Sequence, residues 1–451
     1  MKQQMSMFKW LYPGLRIKRW LLLALCGVLM FIWGAALLLE FKWWTALFYI
    51  ANYLDAGYLS KISLIFIGSA LMLIGICVLI FSLKKGLDSI INILVPYNET
   101  KLVETIYQKR QLLRGPKVVA IGGGTGLPTL LKGLKKYTSN LTAIVAVTDD
   151  GGCSGKLRDE LGIIPLGDLR NNLVALADKE GLLEELLNYR FNQNSSLSGR
   201  SLGNLLIAAM ADITDDVNKS IQDLSKVLAI SGTVLPVSLS SIVLKAVMDD
   251  GSEIIGETQI VKSGKKIKKI SIIPEDCEPM PEAIVAVEEA DVVILGPGSL
   301  YTSVISNLLI KKLAAAVLQS KAKVYYVCNV MTQPGETDTY NALEHLWAIK
   351  EYLPGVVIDK MIVNTEKISD ELLNLYAKKG AQPVVFDKEA FADYETTILL
   401  DRLLDTSQLV RHDSDKLAKL IMREILKDIS ATDKMKIFDL ILGERYKDLT
   451  G

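Results

Sequence analysis

One stretch constrains the fold of this chain more than any other, the run VVAIGGGTGLPTLLKGLKK at residues 118–136. Residues 118–121 read as a short buried strand, and from Leu127 onwards apolar residues recur at helical spacing. The turn between them consists of Gly122, Gly123, Gly124, Thr125 and Gly126. Glycines let the backbone approach a phosphate, and free N–H groups at a helix start bind anions. GGGTG is not the full GxGxxG fingerprint and no GK[ST] follows, so the pattern predicts either an anion-binding turn or a tight structural turn.

Composition excludes several classes of function. Lysines plus arginines equal aspartates plus glutamates, at 51 each, so no overall field favours nucleic acid. The run KSGKKIKK at residues 262–269 fits a lysine-lined hairpin, and no aromatic residues are interleaved to support a nucleic-acid patch. The five cysteines form no CxxC pair, which indicates neither a disulfide framework nor a zinc site. Only two histidines are present, which excludes a histidine-rich metal centre.

Two uncharged runs, residues 20–39 and 62–83, are each long enough to cross a bilayer as a helix. We therefore predict an N-terminal membrane anchor over residues 1–83 and a juxtamembrane linker over residues 84–115. Basic residues flank the pair on its outer sides and are few in the connector. By the positive-inside rule, both termini and the large C-terminal domain are expected on the cytoplasmic side of the cell membrane. Neither span contains an ionisable residue, so a transport pathway has no support.

Beyond residue 116, strands alternate with helices, which predicts a parallel sheet covered by helices on both faces. A second strand ends in TDDGG, and open α/β sheets bind their ligands at the carboxyl ends of strands. Asp149 and Asp150 are therefore candidates for a ribose hydroxyl, a sugar hydroxyl or Mg²⁺, with Gly151 and Ser154 in a second glycine loop beside them. A turn capped by the two aspartates is the structural alternative.

Two later helix starts carry polar residues. PLGDLRN places Asp168, Arg170 and Asn171 at one of them. All three are typical of capping, although Arg170 also suits a phosphate. GRSLGN places Asn204 at the other, where it either caps the helix or contacts a ligand.

The run DVVILGPGSLYTSVISNLLI, residues 291–310, repeats the arrangement of strand, glycine turn and helix. Two such units in one sheet can converge on one ligand. The candidate contacts from this unit and from the next strand are Gly296, Gly298, Ser299, Tyr301, Thr302, Asn329 and Thr332. His345 lies well inside the following helix, which favours a packed or surface histidine over a catalytic one.

Six ordered motifs resemble the YvcK family of gluconeogenesis factors, a branch of the superfamily that includes the CofD enzyme 2-phospho-L-lactate transferase. They are GGGTGL, VTDDGG-SGKLR, P-GDLRN, GNLLIAAM, LGPGSLYTSVISNLL and YVCNVMTQPGETD. The resemblance implies a Rossmann-like three-layer α/β fold over residues 116–451, preceded here by the two transmembrane helices. The common family has no membrane hairpin, so residues 1–115 are expected to lie outside the resemblance.

For the gluconeogenesis factors, the resemblance implies a UDP-sugar ligand such as UDP-N-acetylglucosamine. It also implies a role in central carbon metabolism and in cell-wall and cell-shape maintenance. We therefore expect a membrane-anchored nucleotide-sugar sensor that forms homo-oligomers. The resemblance fixes no cofactor, and Mg²⁺ is the one candidate. The motif NALEH at residues 341–345 departs from the T-SDH of relatives, so the role of Glu344 and His345 is left open.

The alternative is a transferase that uses a nucleotide-linked donor. In that branch the resemblance implies a Mg²⁺ ion held by aspartate, for which Asp149 and Asp150 are the candidates. A third class, the NAD-dependent oxidoreductases, requires the dinucleotide fingerprint that this chain lacks.

Overall fold

The computed structural model describes residues 18–38, 61–94, 109–152, 155, 158, 162–177, 181–191, 197–405 and 409–428. The chain divides into two compact units, Met1–Lys109 and Arg110–Gly451. Each unit is described by itself below.

The N-terminal unit contains two apolar helices, α1 (Lys18–Leu38) and α2 (Lys61–Leu94). Each includes a segment with a mean hydropathy of 2.6 that is long enough to cross a membrane, at Arg19–Leu38 and Phe66–Gly86. The large apolar side chains on these segments point outward; Leu22 is 64% exposed and Phe66 is 72% exposed. An outward-facing apolar surface is what a lipid environment requires. Helix α2 also takes in the first eleven residues of the predicted linker.

Glycines set the spacing between α1 and α2. A β-carbon at Gly27 would lie 2.9 Å from the Gly75 carbonyl oxygen, and one at Gly34 would lie 2.7 Å from that of Gly68. The two glycine pairs, Gly27 with Gly75 and Gly34 with Gly68, are seven residues apart along each helix. Residue numbers rise along α1 while those of the partners fall along α2, so the two helices run antiparallel. Small residues at such crossings let helix backbones approach closely in the absence of a hydrophobic driving force.

The second unit is an α/β domain. Its main sheet contains β1 (Val118–Gly122), β2 (Leu141–Val145), β3 (Thr233–Pro236), β7 (Val292–Leu295), β8 (Lys323–Val327), β9 (Lys360–Asn364) and β10 (Thr397–Asp401). A second sheet consists of three strands, β4 (Val243–Met248), β5 (Glu253–Ile255) and β6 (Ile267–Ile273). A third sheet consists of two, β11 (Leu404–Asp405) and β12 (Arg411–His412). The helices that we name are α3 (Gly126–Leu134), α4 (Gly167–Leu176), α5 (Leu182–Asn188), α6 (Leu202–Thr214), α7 (Val217–Val227), α8 (Glu257–Lys262), α9 (Pro281–Glu288), α10 (Leu300–Leu308), α11 (Lys311–Gln319), α12 (Ala342–Tyr352), α13 (Asp370–Ala377) and α14 (Ser414–Asp428).

All seven strands of the main sheet are parallel, in the order β10-β9-β8-β7-β1-β2-β3. The chain builds outward from β1 to β3 on one side and then from β7 to β10 on the other. The order therefore reverses between β1 and β7, which is the position where open α/β sheets form their ligand crevice. Residues 118–121 are at most 2% exposed, as expected for a central strand covered on both faces. The α/β Rossmann-like fold is confirmed.

The region 241–273 forms a separate antiparallel sheet in the order β5-β4-β6. The prediction of a hairpin at KSGKKIKK is wrong, because the first lysine ends α8 and Ile267 begins β6. The stretch is a connection between a helix and a strand. The alternation in IKKISII indicated the strand, but the short helix before it gave no clear periodicity.

Candidate functional site

The two glycine turns meet at the point where the sheet order reverses. A β-carbon at Gly126 would lie 2.6 Å from the Pro297 carbonyl oxygen and 2.9 Å from the Gly298 nitrogen. A β-carbon at Gly298 would lie 3.1 Å from the Gly123 carbonyl oxygen. The backbones of the β1–α3 turn and the β7–α10 turn are therefore in direct contact, as the repeated sequence pattern predicted.

A cavity of about 360 Å³ opens beside this junction, within the range expected for small-molecule sites. Its walls come from both glycine turns, from the segment after β8, from the end of α13 and from β12. They are formed by Thr125, Gly126, Thr129, Pro297, Gly298, Ser299, Asn329, Val330, Met331, Thr332, Gln333, Pro334, Tyr376, Lys379, Ala381, Leu409, Val410, Arg411 and His412. We call this space the main cavity.

Two cations in its wall, Lys379 and Arg411, have no carboxylate partner among the residues that the structure describes. Arg411 reaches the cavity because α14 packs on α3, where a β-carbon at Gly133 would collide with the Ser414 carbonyl. The hydroxyl of Tyr376 accepts a hydrogen bond of 3.1 Å from the Val410 N–H and fixes the segment before Arg411. The result is an exposed positive charge in the cavity wall, on a backbone segment that Tyr376 holds in place.

At the start of α3, the N–H groups of Thr125 and Gly126 have no partner among the residues that the structure describes, and Pro128 has no N–H to satisfy. The first N–H groups of a helix have no partner within it, and Thr125 at the N-cap supplies no side-chain cap. Thr125 and Gly126 line the main cavity, so these donors and the positive end of the helix dipole lie at its wall with Arg411. This combination binds phosphate oxygens.

The Gly124 N–H is already engaged. It donates a hydrogen bond of 2.5 Å to Oδ2 of Asp168 in the first turn of α4. Burial raises the pKa of Asp168 to about 6, although this hydrogen bond opposes the shift. The Asp168 carboxylate therefore occupies the part of the turn where we expected the phosphate of a ligand. The N–H groups that remain for a ligand belong to Thr125 and Gly126, one and two residues further along the chain.

Two more acids hold backbone N–H groups at the same edge of the sheet. Glu336 accepts bonds of 3.3 Å from the Tyr301 N–H and 3.1 Å from Oγ1 of Thr302, at the start of α10. Asp150 accepts bonds of 2.9 Å and 2.5 Å from the N–H and hydroxyl of Thr258, at the start of α8. These contacts give Glu336 and Asp150 a structural function.

The buried carboxyl groups at this edge resist ionisation. Burial raises the pKa of Glu336 to about 7 and that of Glu257 well above its ordinary value, and the charge of Asp149 adds to the shift of Glu257. Within the described parts of the chain, no three His, Cys, Asp or Glu side chains are grouped to hold a metal ion. Asp149 and Asp150 each use Oδ1 for an internal hydrogen bond, to the Gly151 N–H and to Thr258, and each keeps Oδ2 as a candidate metal ligand; Mg²⁺ would take its other oxygens from phosphate and water.

Three of the predicted residues contact one another and line no wall of the main cavity. Arg170 is 7% exposed and donates bonds of 3.1 Å to Oδ1 of Asn204 and 2.7 Å to Oδ1 of Asn171. A further bond of 2.5 Å joins it to the hydroxyl of Ser201, which caps α6. Arg170 therefore ties α4 to α6, and it is not at the place where the cavity would hold a phosphate.

The remaining predicted residues are distributed as follows. Gly122 ends β1, Gly296 lies in the second glycine turn, and Oδ1 of Asp149 accepts the Gly151 N–H at 2.9 Å. The Tyr301 hydroxyl pairs with that of Tyr340 at 3.0 Å, outside the main cavity. Ser154 lies outside the residues described.

Asn341 and Glu344 form a capping box at the start of α12, with bonds of 2.9 Å and 2.7 Å. The departure from the family motif at NALEH is thus explained by a helix cap. His345 is completely buried against Tyr340, and its Nδ1 lies 2.8 Å from the Asn341 carbonyl oxygen. The expected packed position of His345 is confirmed, and its role stays open.

Sequence reasoning missed Thr129, Tyr376, Lys379 and Arg411. Thr129 lies in α3, three residues after Gly126, and was passed over as part of the helix. Tyr376 in α13, Lys379 just after it and Arg411 in β12 follow no motif and are far from the glycine turns along the chain. The one local signal is Asp413, which caps α14 by accepting the N–H groups of Asp415 and Lys416 at 2.9 Å each. A cap at that position places Arg411 two residues before the capping residue of a helix.

Comparisons with known proteins agree with this architecture. The family model of 2-phospho-L-lactate transferase CofD matches residues 118–404. A crystal structure of a Bacillus halodurans protein, 47% identical, matches with a TM-score of 0.66 over 68% of this chain and 99% of that one. The gluconeogenesis factor of Bacillus subtilis is 46% identical over 314 residues, which are 69% of this chain and 99% of the relative.

Two longer relatives match almost the whole chain. A putative gluconeogenesis factor of Nostoc sp. is 45% identical over 92% of both chains, and one of Clostridium acetobutylicum is 41% identical over 98% of both. Similarity to these relatives therefore extends into residues 1–115, so the expectation that this segment lies outside the family is wrong. The chain belongs to the gluconeogenesis factor family of CofD-like proteins.

Proposed function

We propose that this chain is a membrane-anchored regulatory protein that binds a nucleotide sugar such as a UDP-sugar. In this role it would support central carbon metabolism and the maintenance of the cell wall and cell shape. The proposal combines the function implied by the family with the chemistry of the main cavity.

One observation carries the proposal: the uncapped start of α3 faces the main cavity together with Arg411 and Lys379. Helix-start N–H groups and a guanidinium are complementary to a diphosphate. The remaining walls contain polar groups at Asn329, Thr332 and Gln333, as nucleoside sites do. Gln333 bonds to Asn329 and Ser299 and Thr332 accepts the Gln382 N–H, so a nucleoside would use the oxygen of Asn329 and the remaining hydrogen-bonding capacity of the other two.

Calorimetry on the full chain in detergent tests this function. We expect a UDP-sugar to bind more tightly than a dinucleotide such as NAD, and EDTA to change the dissociation constant less than about twofold, because Lys379 and Arg411 already supply positive charge for the diphosphate. A matched titration with GDP reports whether the base is recognised. Absence of binding by any uridine nucleotide would refute the proposal.

The second candidate is a Mg²⁺-dependent transferase of the 2-phospho-L-lactate type, which the matched family model favours. Asp149 would hold the ion together with phosphate oxygens, and the ion would stabilise negative charge on the departing phosphate. Binding that disappears in EDTA, together with turnover of a nucleotide-linked donor, would support this candidate over the sensor.

The anchor is proposed from α1 and α2, which are long and apolar enough to span a membrane. The positive-inside rule supports the proposal that both termini are in the cytoplasm, because the basic residues flank the pair of helices on its outer sides. A reporter fused after Lys85 is therefore expected to behave as cytoplasmic, and one fused in the connector at residues 45–55 as external. The reverse pattern would contradict the proposed topology.

A further inference from the structure

A smaller cavity adjoins the main cavity. It measures about 180 Å³ and shares three lining residues with it, Thr125, Thr129 and Arg411. Its other walls are formed by Pro128, Lys132, Asn171, Val174, Glu184 and Asn188. We call it the side cavity. The uncapped start of α3 and Arg411 therefore lie where the two cavities meet.

We propose that the side cavity is the subsite for the sugar of the nucleotide-linked ligand. This inference rests on the proposed function. The diphosphate would lie at the junction beside Arg411, with the nucleoside in the main cavity and the sugar ring in the side cavity.

The charge balance of the side cavity favours an uncharged group. Nζ of Lys132 and Oε1 of Glu184 form an ion pair of 2.8 Å, so these two opposite charges compensate each other. Arg411 lies at the shared boundary and is left for the diphosphate. The paired charges leave no net positive charge in the side cavity for a second anion.

The hydrogen-bonding groups of the side cavity match sugar hydroxyls. The amide of Asn188 and Oε2 of Glu184 make no hydrogen bond within the described residues. The side chain of Asn171 uses its oxygen for Arg170 at 2.7 Å, which leaves its NH₂ group to donate. Amide and carboxylate groups together supply donors and acceptors, as vicinal hydroxyls require.

The size of the side cavity selects a single ring. A cavity of about 150 Å³ holds benzene, so the 180 Å³ of the side cavity is of the order of a single ring, and the substituents of a sugar would extend through its open side. A nucleoside, with two ring systems, fits the larger main cavity better. The subsite is therefore expected to accept a monosaccharide and to exclude a dinucleotide.

The test compares UDP with UDP-glucose on the full chain in detergent, because the ratio of the two dissociation constants isolates the sugar. In Asn188→Ala and in Glu184→Gln we expect UDP to bind within twofold of wild type and UDP-glucose to lose about two- to tenfold. The matched control is Asn374→Ala, an exposed asparagine on α13 that lines neither cavity. It should leave both constants unchanged.

Two outcomes would overturn the sugar subsite while leaving the proposed function intact. One is a wild-type chain that binds UDP and UDP-glucose equally well. The other is a loss in Asn188→Ala and Glu184→Gln that is the same for both ligands. If the wild-type chain binds neither ligand, the proposed function itself fails.

Discussion

Replacing Gly126 by alanine is expected to abolish measurable nucleotide-sugar binding and to lower the thermal stability of the domain. The added β-carbon would lie 2.6 Å from the Pro297 carbonyl oxygen, a backbone atom that no rotamer change can move. The two glycine turns must then separate. Overpacking of this kind costs about 1–3 kcal/mol of folding free energy.

The loss of binding follows from the same displacement. Gly126 is the first residue of α3, so moving it misplaces the N–H groups that face the main cavity. Hydrogen bonds to a charged phosphate contribute about 1.5–3 kcal/mol each. The loss of two of them weakens binding by at least about a hundredfold. Calorimetry and thermal unfolding of the same preparation measure both effects.

Gly122→Ala is the matched control. A β-carbon there would meet Gly296 and Leu127 at 3.7 Å, which is ordinary van der Waals contact, and Gly122 lines neither cavity. Gly124 is less informative, because its φ of +63° makes any side chain strained regardless of the space. Wild-type affinity in Gly126→Ala would show that the ligand lies elsewhere.

The fold was predictable from sequence because its signals are local. Residues 118–121 and 292–295 are unbroken apolar runs, each followed by a glycine turn and a helix start. Such runs indicate strands buried on both faces, and their repetition indicates parallel strands in one sheet. The location of the ligand crevice at the ends of these strands follows from the same pattern.

The chemistry of the site was less predictable because it depends on distant partners. Asp168 reads as a helix cap, yet its carboxylate binds the Gly124 N–H, 44 residues away in the chain. Arg170 reads as a phosphate ligand, yet it binds Asn204, 34 residues away. Arg411 reaches the cavity only because a glycine in α3 admits the start of α14. Packing between helices decides these positions, and no local motif records it.

Replacing Arg411 by alanine is expected to have the second large effect. The guanidinium lines both cavities, and no described carboxylate is paired with it, so its charge is available to a ligand. The loss of its charge-assisted hydrogen bonds to a diphosphate costs about 3 kcal/mol, or roughly a hundredfold in affinity. Arg411→Lys keeps the charge without the planar fork and is expected to lose about tenfold. Because the residue is exposed, the unfolding temperature should not change.

The dissociation constant of the UDP-sugar complex of Arg411→Ala, compared with Arg402→Ala, tests most directly whether a diphosphate is held between α3 and β12. Arg402 is also exposed and lines neither cavity, so its loss controls for the change in net charge. We predict a roughly hundredfold weaker complex for Arg411→Ala and no change for Arg402→Ala. Equal affinities in the two variants, with the wild-type chain binding normally, would contradict the proposed site.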